Sequence, residues 1–196
     1  MTVTKYILGS HNSWSYLPVR QWWLRPFAFM ARCQSVGIAQ QYEIYGVRCF
    51  DLRIREKNGE IVVAHGLAEY DITYRHLLDD LEYLDSKGDC YVRVIHEVRT
   101  KKEHDQYATN EFYAFCNIIS YNYKNIRFWG GRNLYDWGVD YYFVWVLSCE
   151  EAYSSVKKPR LLDDWFPWLY ARLHNKKLRE RGTDKNVLLI DFVDIS

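Results

Sequence analysis

Apolar residues recur through 47–55 as Val47, Cys49, Leu52 and Ile54, with charges set between them, and the run reads as a strand. Asn58-Gly59 joins it to a second strand over 60–65, and an Asn-Gly pair between two such runs is a strong hairpin signal. From Thr73 to Lys87 the spacing turns helical: Leu77, Leu78, Leu81 and Leu84 share one face, and Gly88 follows the end. A second helix is predicted over 105–122, with Phe112, Phe115, Cys116 and Ile119 as its stripe. Residues 33–45 give a looser apolar side (Val36, Ile38, Ala39, Tyr42, Ile44) closed by Gly46, and predict a helix. Leu162 to Arg181 predicts a helix interrupted or kinked near Pro167. Further strands are predicted over 4–9, 90–98, 141–149 and 186–193, and another is masked in the aromatic segment Ile126–Trp129. The stretch from Pro18 to Met30 is aromatic and irregular.

Strands alternating with helices, without a repeat or a low-complexity linker, predict an α/β fold with a mainly parallel sheet. Several strands end on polar residues: His11, Arg53, His96 and Glu97, Glu150 and Asp191. Polar groups gathered at the C-terminal ends of parallel strands are how a (β/α) barrel builds an active site. Fewer than eight strands are clear. The expected fold is therefore a distorted or reduced TIM-type (β/α) barrel, with the active site at the C-terminal strand ends and residues 1–196 forming one domain.

Composition narrows the chemistry. A net charge of +1 supplies no field to draw in nucleic acid, so a phosphate ligand must be caught by local Arg side chains. The five Cys (Cys33, Cys49, Cys90, Cys116, Cys149) are widely spaced and lack a CxxC pair, which predicts buried free thiols rather than a disulfide framework or a zinc site. The N-terminus shows no signal-peptide pattern and no apolar run reaches membrane-spanning length. The expected location is cytoplasmic by default, or secreted if a leader has been removed. Aromatic residues make up 17% of the chain. Trp14, Tyr16, Trp22, Trp23, Phe27 and Phe29 cluster early; they read first as core packing under a long loop, and second as a cleft rim or membrane-interfacial surface.

The charges within 47–55 carry the functional signal. Asp51 and Arg53 are two apart on a strand, so they project from one face; if buried, they must be paired or face a polar cleft. His11 lies in Gly9-Ser10-His11-Asn12-Ser13 before this strand, and His65 in Ala64-His65-Gly66 after it. Two His around a buried Arg point to acid–base chemistry on a phosphate. Taken singly, His11 reads as a turn residue and His65 as a strand-end residue. His76, His104 and His174 have charged neighbours and read as solvated, and the basic run Lys176, Lys177, Arg179, Arg181 reads as an exposed helix end.

Taken in order, Gly9-Ser10-His11-Asn12-Ser13, Gly46-Val47-Arg48-Cys49-Phe50-Asp51-Leu52-Arg53, Ala64-His65-Gly66 and the terminal Val187–Val193 run with Asp191 resemble the X domain of phosphatidylinositol-specific phospholipase C, most closely over residues 5–100 and at the last strand. The resemblance implies an intramolecular reaction through a cyclic inositol phosphate. His11 would be the base, His65 the acid, Asp191 the carboxylate that orients His11, and Arg53 the charge on the phosphorane, with Asp51 holding Arg53. Arg53 stands where the calcium-dependent branch has an acidic residue, which implies a calcium-independent, bacterial-type site without a metal or other cofactor. Asn12 stands where bacterial members usually have Asp. His96 or Glu97 falls where relatives place a lysine or a glutamate. The implied partners are a phospholipid or inositol-phosphate substrate and, transiently, a membrane surface; nucleic acid is not among them, and the oligomeric state is open. Two alternatives stand beside this one: a metal-dependent glycerophosphodiesterase-like barrel enzyme, disfavoured by Asp51-Leu52-Arg53 in place of its acidic pair, and a non-catalytic phosphoinositide-binding module.

Overall fold

The computed structural model describes residues 6–97, 109–131, 137–138, 149–151 and 166–195. Its framework is one sheet of nine strands among these residues. Seven form a continuous path: β7 (Trp137–Gly138), β6 (Arg127–Gly131), β5 (Tyr91–His96), β2 (Cys49–Lys57), β1 (Ile7–Ser10), β9 (Val187–Ile190) and β8 (Cys149–Glu151). Every pairing on the path is parallel except β6 with β7. The last strand lies against the first, and the chain then steps outward in sequence order through β2, β5 and β6, which is the winding of a (β/α) barrel. Among the described residues the sheet does not close, so the expected barrel is present in distorted form. β3 (Glu60–His65) and β4 (Ala68–Glu69) fold back antiparallel from β2, with the predicted turn at Asn58-Gly59.

Strand parity sorts the side chains into two layers. The outward row of β2, Phe50, Leu52 and Ile54, joins Leu8, Val92, Val94, Leu188 and Ile190 in the main core. Onto that layer pack α2 (Tyr74–Lys87), through Leu77, Leu81 and Leu84, and α3 (Asn110–Asn122), through Phe112, Phe115, Cys116 and Ile119. Burying each such side chain is worth roughly 1.5–3 kcal/mol. Both helices start on a threonine cap: Thr73 accepts from the His76 amide and Thr109 from the Phe112 amide. The inward row builds a smaller apolar floor of Cys49, Trp129, Val187 and Leu189. Gly9 is part of it, because a Cβ there would lie 2.5 Å from Leu189 and 3.2 Å from Cys49. A side chain there would have to push the Leu189 methyl aside and crowd Cys49, close to where the chain turns to His11.

Several predicted boundaries move. The helix expected over 33–45 shrinks to α1 (Ile38–Glu43). Residues 33 and 34 are occupied otherwise, since both their amides donate to Ser15 Oγ and the Gln34 side chain binds backbone on both sides of it. Of the helix expected over Leu162 to Arg181, the described part is α4 (Pro167–Arg181): Phe166 is its N-cap and Pro167 its first residue, where the missing N–H costs nothing. Residues 4–5, 98, 105–108, 141–148 and 162–165 of five predicted elements lie outside the described residues. Core packing fails for most of the early aromatic group. Trp14 is fully buried and donates to Asp80, but Trp22, Trp23, Phe27 and Phe29 lie exposed on a 3-10 helix (Trp22–Met30) without a buried residue. All five cysteines are free thiols; Cys33, Cys49, Cys90 and Cys116 are buried as expected, and Cys149 is half-buried.

Candidate active site

The mouth of the distorted barrel is built from strand ends. β1 stops at Ser10 and the chain turns through His11 and Asn12. Ser13 clamps that turn: its hydroxyl donates to the Ser10 carbonyl (2.9 Å) and accepts from the Asp51 amide (2.8 Å). Asn12 takes φ 46°, a left-handed conformation that asparagine tolerates better than most residues. Its amide then donates to Asp51 Oδ2 (3.0 Å), fixing the turn to β2. On the other side the His11 amide binds the Ile190 carbonyl (3.0 Å), and Gln34 Nε2 bridges the His11 and Ile190 carbonyls (both 2.9 Å).

His11 is thereby aimed between two partners. Its Nδ1 lies 2.7 Å from Asp191 Oδ1, and its Nε2 lies 2.7 Å from Arg53 Nη2. A guanidinium only donates, so Nε2 is the acceptor and the proton of the neutral ring sits on Nδ1, donated to Asp191. This is the tautomer a general base needs, with the lone pair facing the cleft.

Arg53 is gripped at three corners: Nε to Asp51 Oδ2 (2.9 Å), Nη1 to Glu97 Oε2 (3.4 Å) and Nη2 to His11. Asp51 is fully buried and also takes the guanidinium of Arg93 on its other oxygen (2.8 Å). Burial alone would push the Asp51 carboxyl pKa up. The Arg53 and Arg93 charges, with His11, outweigh it and hold the carboxyl well below the usual carboxylate range.

His65 ends β3 across the cleft, its ring edge-on to that of His11 with centroids 5.7 Å apart. Its Nδ1 donates to the Ala31 carbonyl (3.1 Å). Burial, then the charges of Arg53 and His11, lower its pKa below the ordinary imidazole value, while Glu97 and the Ala31 carbonyl pull it back. Glu97 also accepts the Gly66 amide (2.9 Å), so one carboxylate links the His65 loop to Arg53. Asn12 reaches His65 only indirectly: its side chain donates to the Tyr70 hydroxyl (3.3 Å), which donates to the same Ala31 carbonyl (2.7 Å).

The fold thus brings together His11, Asn12, Asp51, Arg53, His65, Glu97 and Asp191. It leaves out His96. Alternation on β5 turns Arg93, Ile95 and then Glu97 inward and His96 outward, where its ring packs on Phe112 with centroids 5.1 Å apart. Glu150 is also elsewhere, bound by Arg181 and Thr183. Arg93 was missed. Its signal is a lone charge inside the apolar run Tyr91–Ile95, at the rung that pairs with Asp51 in register. Cys33 also borders the site, 3.8 Å from His65 Nδ1, but burial and then Asp191 raise its thiol pKa well above the usual value and keep it protonated. Among the described residues, His11, Cys33 and Asp191 place ligand-type atoms within 4.8 Å of one another. A cation there would share the space with the Arg53 guanidinium. Both Asp51 oxygens serve guanidinium groups.

No family model and no curated protein matches the chain. Solved structures do. A mutant of phosphatidylinositol-specific phospholipase C from Staphylococcus aureus aligns over 95% of this chain and 84% of its own, at 17% identity and a TM-score of 0.60. A second structure of the S. aureus protein, concerned with modulation of its membrane binding, aligns over 95% and 85% at 15% identity, TM-score 0.57. The Listeria monocytogenes phosphatidylinositol-specific phospholipase C aligns over 61% of this chain and 39% of its own, at 20% identity and TM-score 0.44. At these identities the likeness to the S. aureus structures is one of fold.

Proposed function

We propose that this protein is a phosphatidylinositol-specific phospholipase C-like phosphodiesterase that works without calcium. The observation that carries the reading is the line Asp191–His11–Arg53, with His65 facing it 5.7 Å away. A base of defined tautomer, a second imidazole and a fixed guanidinium between them are the three groups an in-line attack on a phosphodiester requires. The inositol 2-hydroxyl gives its proton to His11 Nε2 while its oxygen bonds to phosphorus. The bond from phosphorus to the glycerol oxygen breaks, and His65 supplies that oxygen with a proton. A cyclic inositol phosphate and diacylglycerol result. In the free protein Arg53 Nη2 rests on the lone pair that the hydroxyl needs, so the guanidinium turns to the phosphate oxygen as substrate enters. Asp51 and Glu97 hold it through that exchange.

The exposed aromatic residues supply the surface such a substrate calls for. Trp22, Trp23, Phe27 and Phe29 stand out from the 3-10 helix, and Phe29 stacks on Phe166 at the head of α4 with centroids 5.5 Å apart. Trp and Phe at a cleft rim favour the membrane–water boundary. Among the described residues no helix is long and apolar enough to cross a membrane.

Phosphorus NMR of the products formed from phosphatidylinositol tests the reading. A cyclic phosphate, produced at an unchanged rate in chelator, supports it; a direct linear phosphate or chelator-sensitive turnover overturns it. A second reading, a phosphoinositide-binding module, draws on the lowered proton affinity of His65 and the neutral Asn12. Binding of phosphatidylinositol vesicles without turnover favours that module.

A further inference from the structure

Beside His65 lies a cavity of about 440 Å³ that the reaction described above does not use. One wall is the 3-10 helix. With three residues per turn, Leu24, Phe27 and Met30 fall in a single row facing the cavity, and the neighbouring row ends in Ala28 and Ala31, whose small side chains leave the space open. The opposite wall is His65, Gly66, Leu67 and Ala68.

Several polar atoms of that lining are already engaged. The Ala31 carbonyl takes both His65 Nδ1 and the Tyr70 hydroxyl. The Gly66 amide donates to Glu97, and its carbonyl accepts from Arg55. A polar ligand would find few partners here, whereas hydrocarbon would lose nothing. His65 Nε2 is the ring nitrogen that the Ala31 contact leaves for a ligand.

Resting on the phosphodiesterase reading, we infer that this cavity is a subsite for a hydrocarbon chain carried by the leaving alcohol. The leaving oxygen must come within about 2.6–3.2 Å of the His65 nitrogen that protonates it. The group attached to that oxygen then starts at the cavity mouth, because His65 and Gly66 belong to both spaces. The cavity therefore selects substrates by the apolar part of the alcohol, one chain at a time. Phe27 borders both this cavity and the exposed rim, whereas Trp22 and Trp23 belong to the rim and not to the cavity lining.

The test uses two inositol phosphodiesters that differ only in the alcohol, methyl and octyl, both kept monomeric below the critical micelle concentration so that no interface contributes. Each methylene moved from water into the cavity is worth roughly fourfold in kcat/KM, so the parent is expected to prefer the octyl ester by a hundredfold or more. Ala28→Phe, which fills the cavity from a half-buried position, is expected to cost the octyl ester at least tenfold and leave the methyl ester within twofold. Met30→Trp fills the same space from the neighbouring row and serves if the first variant folds poorly by circular dichroism. Equal turnover of both esters by the parent, or equal losses in both filled variants, overturns the subsite and leaves the phosphodiesterase reading standing. Turnover of neither ester by the parent overturns that reading and the subsite with it.

Discussion

The barrel mouth and the 3-10 helix beside it solve opposite problems. At the mouth, charged groups are buried and each is held by several partners: Asp51 receives two guanidiniums and the Asn12 amide, and Arg53 reaches Asp51, Glu97 and His11. On the helix, large apolar groups stand in solvent; Trp22 is 78% exposed and Phe27 57%. A buried charge is tolerated only when it is paired, so Asp51 is held by several donors at once. An exposed indole is held by little and is available to another surface. Chemistry needs the first condition, and contact with a lipid the second.

Breaking the mouth should have the largest effects. Asp51→Asn removes the carboxylate between Arg53 and Arg93, and should lower stability by about 3–5 kcal/mol, read as a lower urea midpoint at unchanged m. The pH dependence has a definite sign. The Asp51 pKa is depressed in the folded state, so its contribution is full above the unfolded value of about 4 and is lost as pH falls toward the folded one. The parent should therefore lose stability in acid more steeply than the variant. An identical midpoint in the two proteins would contradict the network as described.

His11→Ala should reduce turnover of phosphatidylinositol by about 10²–10⁴-fold while leaving the urea midpoint close to the parent's. A parent-like rate would remove His11 from the chemistry. Glu97→Gln sharpens the picture at smaller amplitude. His65 must be protonated to act as acid, and its pKa already lies below the ordinary value, so kcat/KM should fall on the alkaline side from a pH below about 6.5. Glu97 pulls that pKa upward, and without its charge the alkaline limb should move to still lower pH. A limb that stays in place, or moves up, would show that Glu97 does not act on His65.

The smallest effect on chemistry belongs to the other region. Replacing Trp22 and Trp23 together with Ala should leave hydrolysis of a water-soluble inositol phosphodiester within about twofold and weaken binding to phosphatidylinositol vesicles by tenfold or more. Sedimentation of the protein with vesicles measures the second quantity. Equal losses on both substrates would mean that the rim supports the mouth, and the contrast between the regions would fail.

Much of this was legible in the chain. The hairpin at Asn58-Gly59, the stripes Leu77–Leu81–Leu84 and Phe112–Phe115–Ile119, and the shared face of Asp51 and Arg53 follow from local periodicity, which the tertiary structure left intact. The segment over 33–37 was illegible as a non-helix because its contacts reach Ser15, His11 and Ile190, which lie far from it in sequence. Pro167 was seen, and it takes the first position of α4.

The sequence by itself determined which groups were available: two imidazoles near strand ends, an Asp-Arg pair on one face of a strand, and a terminal aspartate. Their partnerships were decided only in three dimensions. Parallel register sets Asp51 beside Arg93, strand parity admits Glu97 and turns His96 away, and the closure of β9 against β1 brings Asp191 to His11 across the length of the chain. The reason is physical. Side-chain direction alternates along a strand and can be read locally, but which strand lies alongside, and in what register, depends on burying both faces of the sheet at once.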